Sequence, residues 1–577
     1  MSDPAALRAV IRLAGHAPEG APLAGRPAVG IGPFELEVTA GADASIGWRL
    51  HNTSPRPVAL DAVGLEWEEP VPDGATRLLS HGYQSWSPTR VQHLGVDEDP
   101  SRVAGTFPML RSAYHADPGV TEAGELRSEQ VAVLGGAADL VLVGFLDGHT
   151  HEGTVRARRA APHVATIEAQ AWFGGAVIGP GEARELHPVV RWTGDDAGAL
   201  LEQWAAAVGA RSGARIAAPY RVGWCSWYHY FHDVDERALR ANLAAASTWP
   251  FEVFQLDDGY QAHIGDWLET NDRFPRGVSG AADAIASAGF VPGLWIAPFL
   301  ASPASRLASE HPDWFARDER GAPLVTMFHE VWGGAMWQLD VTRPEVLEHL
   351  RSTASALREL GYRYLKLDFT FSSTGPGQYA DVTRTPAQRL RAGYDAVRNG
   401  LGDDGFLLGC GCPLGPVVGV VDGMRIGPDV APSWEIESSE PGFPGYEAAA
   451  PSTRGAWEAT LARSFMHRQL WLNDPDCVML RASHTNLAPD AARAWALAVG
   501  HSGGLALVSD DLALLDASSR ALLDEVITLG RAADAEARAG RAPHCDDVFD
   551  PGGPRHLTAA GRTLAINDLE DPRATLR

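Results

Sequence analysis

The chain runs to 577 residues, 45% of them hydrophobic, with 48 Lys and Arg against 73 Asp and Glu and a formal charge of −25. That length exceeds one ordinary domain and predicts two or three. The acidic balance argues against nucleic acid or an anionic membrane as partner, and suits a neutral or cationic small molecule.

In chain order, the opening MSDPAALRAVIRLAGHAPEG holds no apolar run ahead of a cleavage signal, so no secretory leader is expected. No uninterrupted apolar stretch reaches the length of a membrane-spanning helix, and a cytoplasmic protein is the expectation. Residues 1–205 carry alternating segments separated by turn residues: FELEVTA, WRLHN, VALDAVGLEW, EQVAVLGG, LVLVGFLD and HVATIEAQAWFGG. Alternation of this kind predicts antiparallel β structure, most simply a sandwich. LEQWAAAVGARSG at 201–213 reads as a helix and linker.

From residue 220 the rhythm changes to apolar strands alternating with Ala- and Leu-rich helical stretches. The strands read as 222–227, 252–258, 291–299, 364–369, 406–412, 423–427, 477–481 and 504–510. Helices fit DERALRANLAAAS, GAADAIASAG, PEVLEHLRSTASALRELG, TPAQRLRAGYDAVRNGLG and TRGAWEATLARSFMHRQLW. Eight strands with intervening helices predict a central (β/α)₈ barrel over 206–530. An open doubly wound sheet is the rival, disfavoured because the first strand lacks a Gly-rich phosphate turn. Residues 531–577 begin with the end of an acidic helix and continue as a hairpin-like segment, read as a small C-terminal β domain.

Five cysteines, Cys225, Cys410, Cys412, Cys477 and Cys545, are too few and too scattered for a disulfide framework. Cys410-Gly411-Cys412 is CxC with no second pair nearby, so no zinc site and no other metal or cofactor is expected. Eighteen Trp against eleven Tyr is unusual. Some of these rings fill the core, and others are candidates to stack on sugar faces.

Chemistry in a (β/α)₈ barrel gathers at the C-terminal ends of the strands. Here those ends read Asp257-Asp258, Lys366 with Asp368, Cys410 to Cys412, Arg425 just before Asp429, and Asp510-Asp511, while Asp474 and Asp476 lie just before their strand. Trp227 closes the first strand and Trp295 lies within the third. Buried carboxylates are costly unless paired, so several converging on one rim point to a site. Two carboxylates flanking a sugar ring are the usual equipment for glycosidic cleavage. Lys366 and Asp368 are two residues apart and share a strand face, and an adjacent ammonium favours ionised carboxylate. His329-Glu330 is not a zincin motif. Asn473-Asp474-Pro475-Asp476 reads as a rigid turn rather than a cation site, and His229 and His232 follow the first strand as core, surface or mouth residues.

The stretches GYQSWS (82–87), VGWCSWYHYF (222–231), FQLDDGYQ (254–261), GDWLETNDRFPRG (265–277), GLWIAPF (293–299), HPDWF (311–315), LDVTRPEVLEHL (339–350), YLKLDF (364–369), GMRIGPD (423–429) and WLNDPDCVML (471–480) carry a resemblance. They resemble glycoside hydrolase family 36, the α-galactosidases with their α-N-acetylgalactosaminidase and raffinose-synthase relatives. The resemblance implies an N-terminal β-sandwich, a (β/α)₈ barrel and a small C-terminal β domain. It implies a retaining mechanism with Asp368 as nucleophile and Asp429 as acid/base. It places Asp257, Asp258, Lys366, Arg425 and Trp295 on the sugar, and more loosely Cys410-Gly411 near the 2-substituent. Trp86 on the GYQSWS loop either reaches the barrel mouth or serves domain packing.

Three departures bear on the substrate. GLWIAPF has Ala297 before its proline where many members have glutamate, the turn between Leu407 and Asp429 is longer and less polar, and KLDF lacks the familiar tryptophan before its aspartate. The residues alone imply a neutral sugar and two carboxylates, while the resemblance supplies a terminal α-linked galactose. Transfer to an acceptor in the raffinose-synthase manner, α-N-acetylgalactosaminidase or other α-glycosidase activity, and a non-catalytic carbohydrate-binding barrel are the competing readings. Assembly into a homo-oligomer stays open.

Overall fold

The computed structural model describes residues 7–41, 44–72, 76–103, 114–437 and 450–577. The N-terminal region folds into two antiparallel sheets of six and eight strands, laid face to face. Alternation along the strands makes this packing possible. In Phe34–Ala40 the Phe34 and Leu36 side chains are buried, whereas Glu35 and Glu37 are not. The longest pair, Val58–Pro70 against Val164–Ile178, is antiparallel and shifts register between Trp172 and Ala176. Gly174 and Gly175 occupy that irregularity at φ +59 and +84, a conformation that glycine adopts without steric cost.

The eight-stranded sheet is apolar on both faces. Ala132 and Leu134 join the sandwich core, and Val131 and Val133 join the core shared with the barrel. The near-continuous apolar run of Val131–Gly135 follows from burial on both sides. Helix Ala197–Ser212 leads from the sandwich to the barrel, capped by Asp196 through Ala199 N. Its Trp204 donates to Phe145 O at 2.8 Å, which ties the two bodies together.

The barrel strands are β1 Val222–Cys225, β2 Val253–Leu256, β3 Val291–Ile296, β4 Tyr364–Leu367, β5 Phe406–Gly409, β6 Gly423–Arg425, β7 Leu472–Asp474 and β8 Ala506–Val508. Neighbours are parallel throughout, with β8 beside β1. Leu505 N donates to Asn473 O at 2.9 Å and closes the ring between β7 and β8. The predicted helices lie between the strands. Pro386–Leu401 opens with a reciprocal cap in which Thr385 Oγ1 accepts from Gln388 N and Gln388 Oε1 accepts from Thr385 N.

Two expectations need correction. The seventh strand is Leu472–Asp474, not 477–481. Pro475 has no N–H to donate, and Asp476 turns to φ +91. The chain therefore leaves the sheet after Asp474 and touches β8 again only through a bridge between Val478 and Val508. The helix expected over 453–471 ends at Ala462. Arg463 then turns inward, fully buried, and donates to the carbonyls of Gly82, Gln84, Ser85 and Ile426. A further helix, Pro489–His501, lies outside the predicted set.

Helix Ala517–Arg538 follows β8, and a three-stranded antiparallel sheet, His556–Ala559, Arg562–Ile566 and Ala574–Leu576, ends the chain. That sheet packs on the barrel, with Trp434 donating to Leu569 O at 2.7 Å and Trp457 to Pro554 O at 3.0 Å. Among the described residues no helix is long and apolar enough to cross a membrane.

Candidate active site

The C-terminal rim of the barrel gathers the carboxylates around two buried cations. Lys366 points inward from β4, with its Nζ 3.1 Å from Asp257 Oδ2 and 3.7 Å from Asp368 Oδ2. Burial pulls the ammonium down. The Asp257 carboxylate, with Asp368 adding to it, more than offsets this and holds Lys366 well above its ordinary range. Lys366 is therefore a fixed charge between two acids.

Asp368 is the first residue past β4. Trp295 Nε1, from β3, donates to its Oδ2 at 3.0 Å, and Phe369 N donates to its Oδ1 at 2.8 Å. The carboxylate is held on both oxygens and is 6% exposed. Phe369 takes a left-handed backbone, φ +54 and ψ +29, to bring its N–H round to that oxygen.

Gly411 crosses directly over this group at φ +48. A Cβ there would stand 2.9 Å from Phe369 N, 3.0 Å from the Trp86 ring and 3.1 Å from Asp368 Oδ1. The glycine is thus demanded twice, by conformation and by space. Cys410 beside it is buried, and burial, with Asp368 adding repulsion, pushes its thiol well up. It faces the site as a neutral S–H.

Asp257 and Asp258 follow β2. Asp257 Oδ2 accepts from Gln255 Nε2 as well as from Lys366, and the Asp257 N–H donates to Ser226 Oγ at 2.9 Å. Asp258 Oδ2 accepts from Trp332 Nε1 at 2.8 Å and lies 3.2 Å from His232 Nδ1. Trp227 opens a short helix after β1 instead of closing the strand. Its ring meets His232 edge-on at 4.9 Å, so it backs the Asp258 side of the site through that histidine.

On the opposite side Arg425, 2% exposed, serves three carboxylates. NH1 bonds Asp429 at 2.9 Å, NH2 lies 2.8 Å from Asp476, and Nε lies 3.3 Å from Asp474. Asp474 and Asp476 belong to the rigid turn expected of Asn473–Asp476, and their charge goes to Arg425. Tyr228 OH donates to Asp476, and Val430 N donates to it at 3.0 Å. Asp429 is the open member, with 31% of its side chain exposed. Desolvation raises its pKa most. Arg425 opposes that rise, and the Asp368 and Asp257 charges reinforce it. Asp429 thus holds its proton more firmly than an ordinary carboxyl does.

The GYQSWS loop docks from the sandwich onto the turn after β5. Ser85 N donates to Cys412 O at 3.0 Å, and Arg463 fixes the loop carbonyls from below. Trp86 meets Phe369 edge-on at 5.0 Å, which places it beside Asp368 as well as in the domain contact. Asp510 and Asp511, read as rim carboxylates, do not join the group. Asp510 pairs with Arg481 at 2.7 Å, and Asp511 caps a short helical turn. His229 meets Tyr230 edge-on at 4.6 Å instead.

Sequence reading missed Trp332, which arrives on a hairpin between β3 and β4, and Gln255 and Gln261, which lock the paired aspartates. Alternation along FQLDD places Gln255 on the face of Asp257, which is a usable signal. Nothing local marks Trp332. Among the described residues no group of three or more His, Cys, Asp or Glu is arranged to hold a metal ion.

A sandwich-flanked (β/α)₈ barrel whose rim sets carboxylates about a buried lysine and arginine is an arrangement suited to glycoside hydrolysis. The Melibiase family profile matches residues 220–391. The chain is 27% identical over 180 residues to α-galactosidase AgaA of Geobacillus stearothermophilus, covering 29% of this chain and 22% of that protein. It is 33% identical over 96 residues to α-galactosidase Mel36A of Lactobacillus acidophilus, covering 15% of this chain and 13% of that protein. These matches span about a fifth or less of the curated relatives' length. The α-galactosidase TtGalA of Thermus thermophilus, solved with p-nitrophenyl α-D-galactopyranoside, is structurally similar with a TM-score of 0.70 and 27% identity. That likeness covers 94% of this chain and 99% of the other. AgaA itself, described as a GH36 enzyme, shares the fold at a TM-score of 0.61 and 14% identity, over 95% of this chain and 75% of the other. The chain thus carries a Melibiase-type segment over 220–391 and shares the overall fold of these α-galactosidases.

Proposed function

We propose that the protein is a retaining α-galactosidase that removes terminal α-linked galactose from oligosaccharides or glycosides through a covalent glycosyl-enzyme. The observation that carries this reading is the difference between the two carboxyls. Asp368 is clamped on both oxygens, by an indole N–H and by a backbone N–H, and lies beside the Lys366 ammonium. Asp429 is the group held toward its protonated form.

In this reading Asp368 Oδ attacks the anomeric carbon as Asp429 passes its proton to the leaving oxygen. Departure of the aglycone leaves galactose esterified to Asp368 and Asp429 ionised. Asp429 then takes a proton from water as the water oxygen attacks the same carbon and Asp368 departs, so two inversions give net retention. Asp257 and Asp258 accept from the outer hydroxyls, where charged hydrogen bonds are strong. Arg425 balances the charge that appears on Asp429 between the steps.

The TtGalA structures, with p-nitrophenyl α-galactopyranoside and with stachyose, support a galactoside as substrate. A cytoplasmic setting is also proposed, supported by five free, buried thiols. The test is kcat/KM on nitrophenyl α-galactoside, α-N-acetylgalactosaminide and α-glucoside, with NMR of the first-formed anomer. The galactoside should lead and release α-galactose first. A β anomer formed first overturns the double displacement, and preference for either other sugar overturns the galactose assignment. Dominant transfer to added sugar acceptors favours a synthase.

A further inference from the structure

The connection between β3 and β4 is not a simple loop. It carries a hairpin, Val325–His329 against Gly334–Gln338, with a short helical turn Glu330–Trp332 at its tip. Gly333 and Gly334, at φ +91 and +108, make the return. This tip leans over the rim and delivers Trp332 Nε1 to Asp258 Oδ2 at 2.8 Å.

Three protein groups thereby crowd one carboxylate. Trp332 Nε1 and His232 Nδ1 address Oδ2 from opposite elements, and Gln261 Nε2 donates to Oδ1. An ionised carboxylate offers about four lone-pair directions, so Asp258 keeps little capacity for anything else, and it is 3% exposed. Trp332 is itself held. The His329 ring stacks on it at 4.2 Å and 21°, Phe369 meets it edge-on at 5.0 Å, and Trp295 lies 5.9 Å away. His329 Nδ1 is buried without a hydrogen-bond partner, so its contact with Trp332 is made by the ring face.

We propose that Trp332 is a specificity-determining positioning residue, acting through Asp258. By taking Oδ2, it turns the carboxylate so that its remaining lone pair faces one hydroxyl of the bound galactosyl ring. The inference rests on the α-galactosidase reading above. A carboxylate free to swing can satisfy a hydroxyl in several places. A carboxylate fixed by a hairpin is satisfied by one hydroxyl and left unpaired when that hydroxyl is missing, which is the condition for strong discrimination. His329 keeps the indole in plane, so the hairpin as a whole carries the selection.

The test measures kcat/KM for p-nitrophenyl α-D-galactopyranoside and its 4-deoxy and 6-deoxy analogues in the wild type, Trp332→Phe, His329→Phe and His329→Ala. Trp332→Phe keeps an aromatic ring and removes the N–H, and His329→Phe keeps the stack. In the wild type one analogue should lose about 100-fold or more, the scale of an unpaired charged acceptor. In Trp332→Phe that penalty should shrink at least about 10-fold, with the parent substrate losing more than the analogue. His329→Phe should keep the wild-type pattern, and His329→Ala should move toward Trp332→Phe. If turnover by Trp332→Phe is too slow, calorimetric affinities for D-galactose and its two deoxy forms read the same ratio. A uniform loss on all three substrates, with the penalties unchanged, makes Trp332 merely structural and overturns the proposal alone. Wild-type protein that fails to cleave the parent galactoside overturns the α-galactosidase reading along with it.

Discussion

Trp295 Nε1 donates to Asp368 Oδ2 at 3.0 Å, the same oxygen that lies 3.7 Å from Lys366 Nζ. One carboxylate oxygen is thus bound by protein donors and the other by the backbone of Phe369. Trp295→Phe keeps the ring in its wholly buried position and removes one donor. A hydrogen bond to a charged group is worth about 1.5–3 kcal/mol, so kcat should fall roughly 10- to 150-fold with little change in KM. A rise in KM at constant kcat would mean that the bond serves ground-state sugar binding instead.

Asp368→Ala should abolish turnover while circular dichroism and Tm stay close to wild type. Azide should then restore part of the activity by attacking the anomeric carbon and yield a β-galactosyl azide. Labelling of a carboxylate other than Asp368 by a slow 2-fluoro galactoside, located by peptide mass spectrometry, would refute its role as nucleophile.

Asp429→Ala should spare substrates that leave without help. Dinitrophenyl galactoside needs no proton for departure, whereas melibiose or a methyl galactoside does. Efficiency on the alkyl and sugar aglycones should fall by several further powers of ten. The basic limb of the pH profile should vanish in the variant, because that limb records loss of the Asp429 proton. Equal losses on both substrate types would remove Asp429 from the acid/base role.

Gly411→Ala should inactivate out of proportion to its size. The added methyl meets Phe369 N, the Trp86 ring and Asp368 Oδ1 at 2.9–3.1 Å in a left-handed backbone. Left-handed strain at a non-glycine costs about 1–3 kcal/mol, and relief requires moving Asp368 or the sandwich loop. A Tm lower by several degrees, together with a kcat loss greater than 10-fold, is expected. Wild-type kcat in Gly411→Ala would show that the Cys410–Cys412 turn yields freely.

Glu152, on the sandwich, is buried against the barrel-facing turn. Burial, with Glu129 adding repulsion, raises its pKa well above the ordinary value of 4.5. Its Oε2 accepts from Gln130 Nε2 at 3.1 Å, and Oε1 is unpartnered. The folded chain keeps a proton that the unfolded chain releases above pH 4.5. This contribution is fully present below pH 4.5 and is lost as pH rises through the folded value. The slope is about 1.4 kcal/mol per pH unit while only the folded form holds the proton. Glu152→Gln should therefore gain stability over the wild type progressively as Tm is measured from pH 5 to pH 8. Parallel Tm curves would mean that Glu152 titrates alike in both states.

Most of the rim was legible because its spacing is local. Lys366 and Asp368 lie two apart on a strand and must share a face, and tandem Asp257-Asp258 ends a strand that points at the same rim. The seventh strand misled because CVMLR is as apolar as a strand, and the true one, Leu472–Asp474, is only three residues long. There the Pro475–Asp476 turn, not hydrophobicity, decides where pairing stops.

The sequence by itself determined the layer order, the barrel, and the strand-end places of Asp257, Asp258 and Asp368, since period-two and helical patterns act over a few residues. Only the tertiary structure decided which of those acids are spent elsewhere, as Asp510 is on Arg481 and Asp474 and Asp476 are on Arg425. It alone brought Trp332 to Asp258 across 74 positions and docked Ser85 on Cys412 across 327. The physical reason is range. Propensity and periodicity are properties of neighbouring residues, whereas the hydrogen bonds that aim a carboxylate depend on where separately folded elements come to rest against one another.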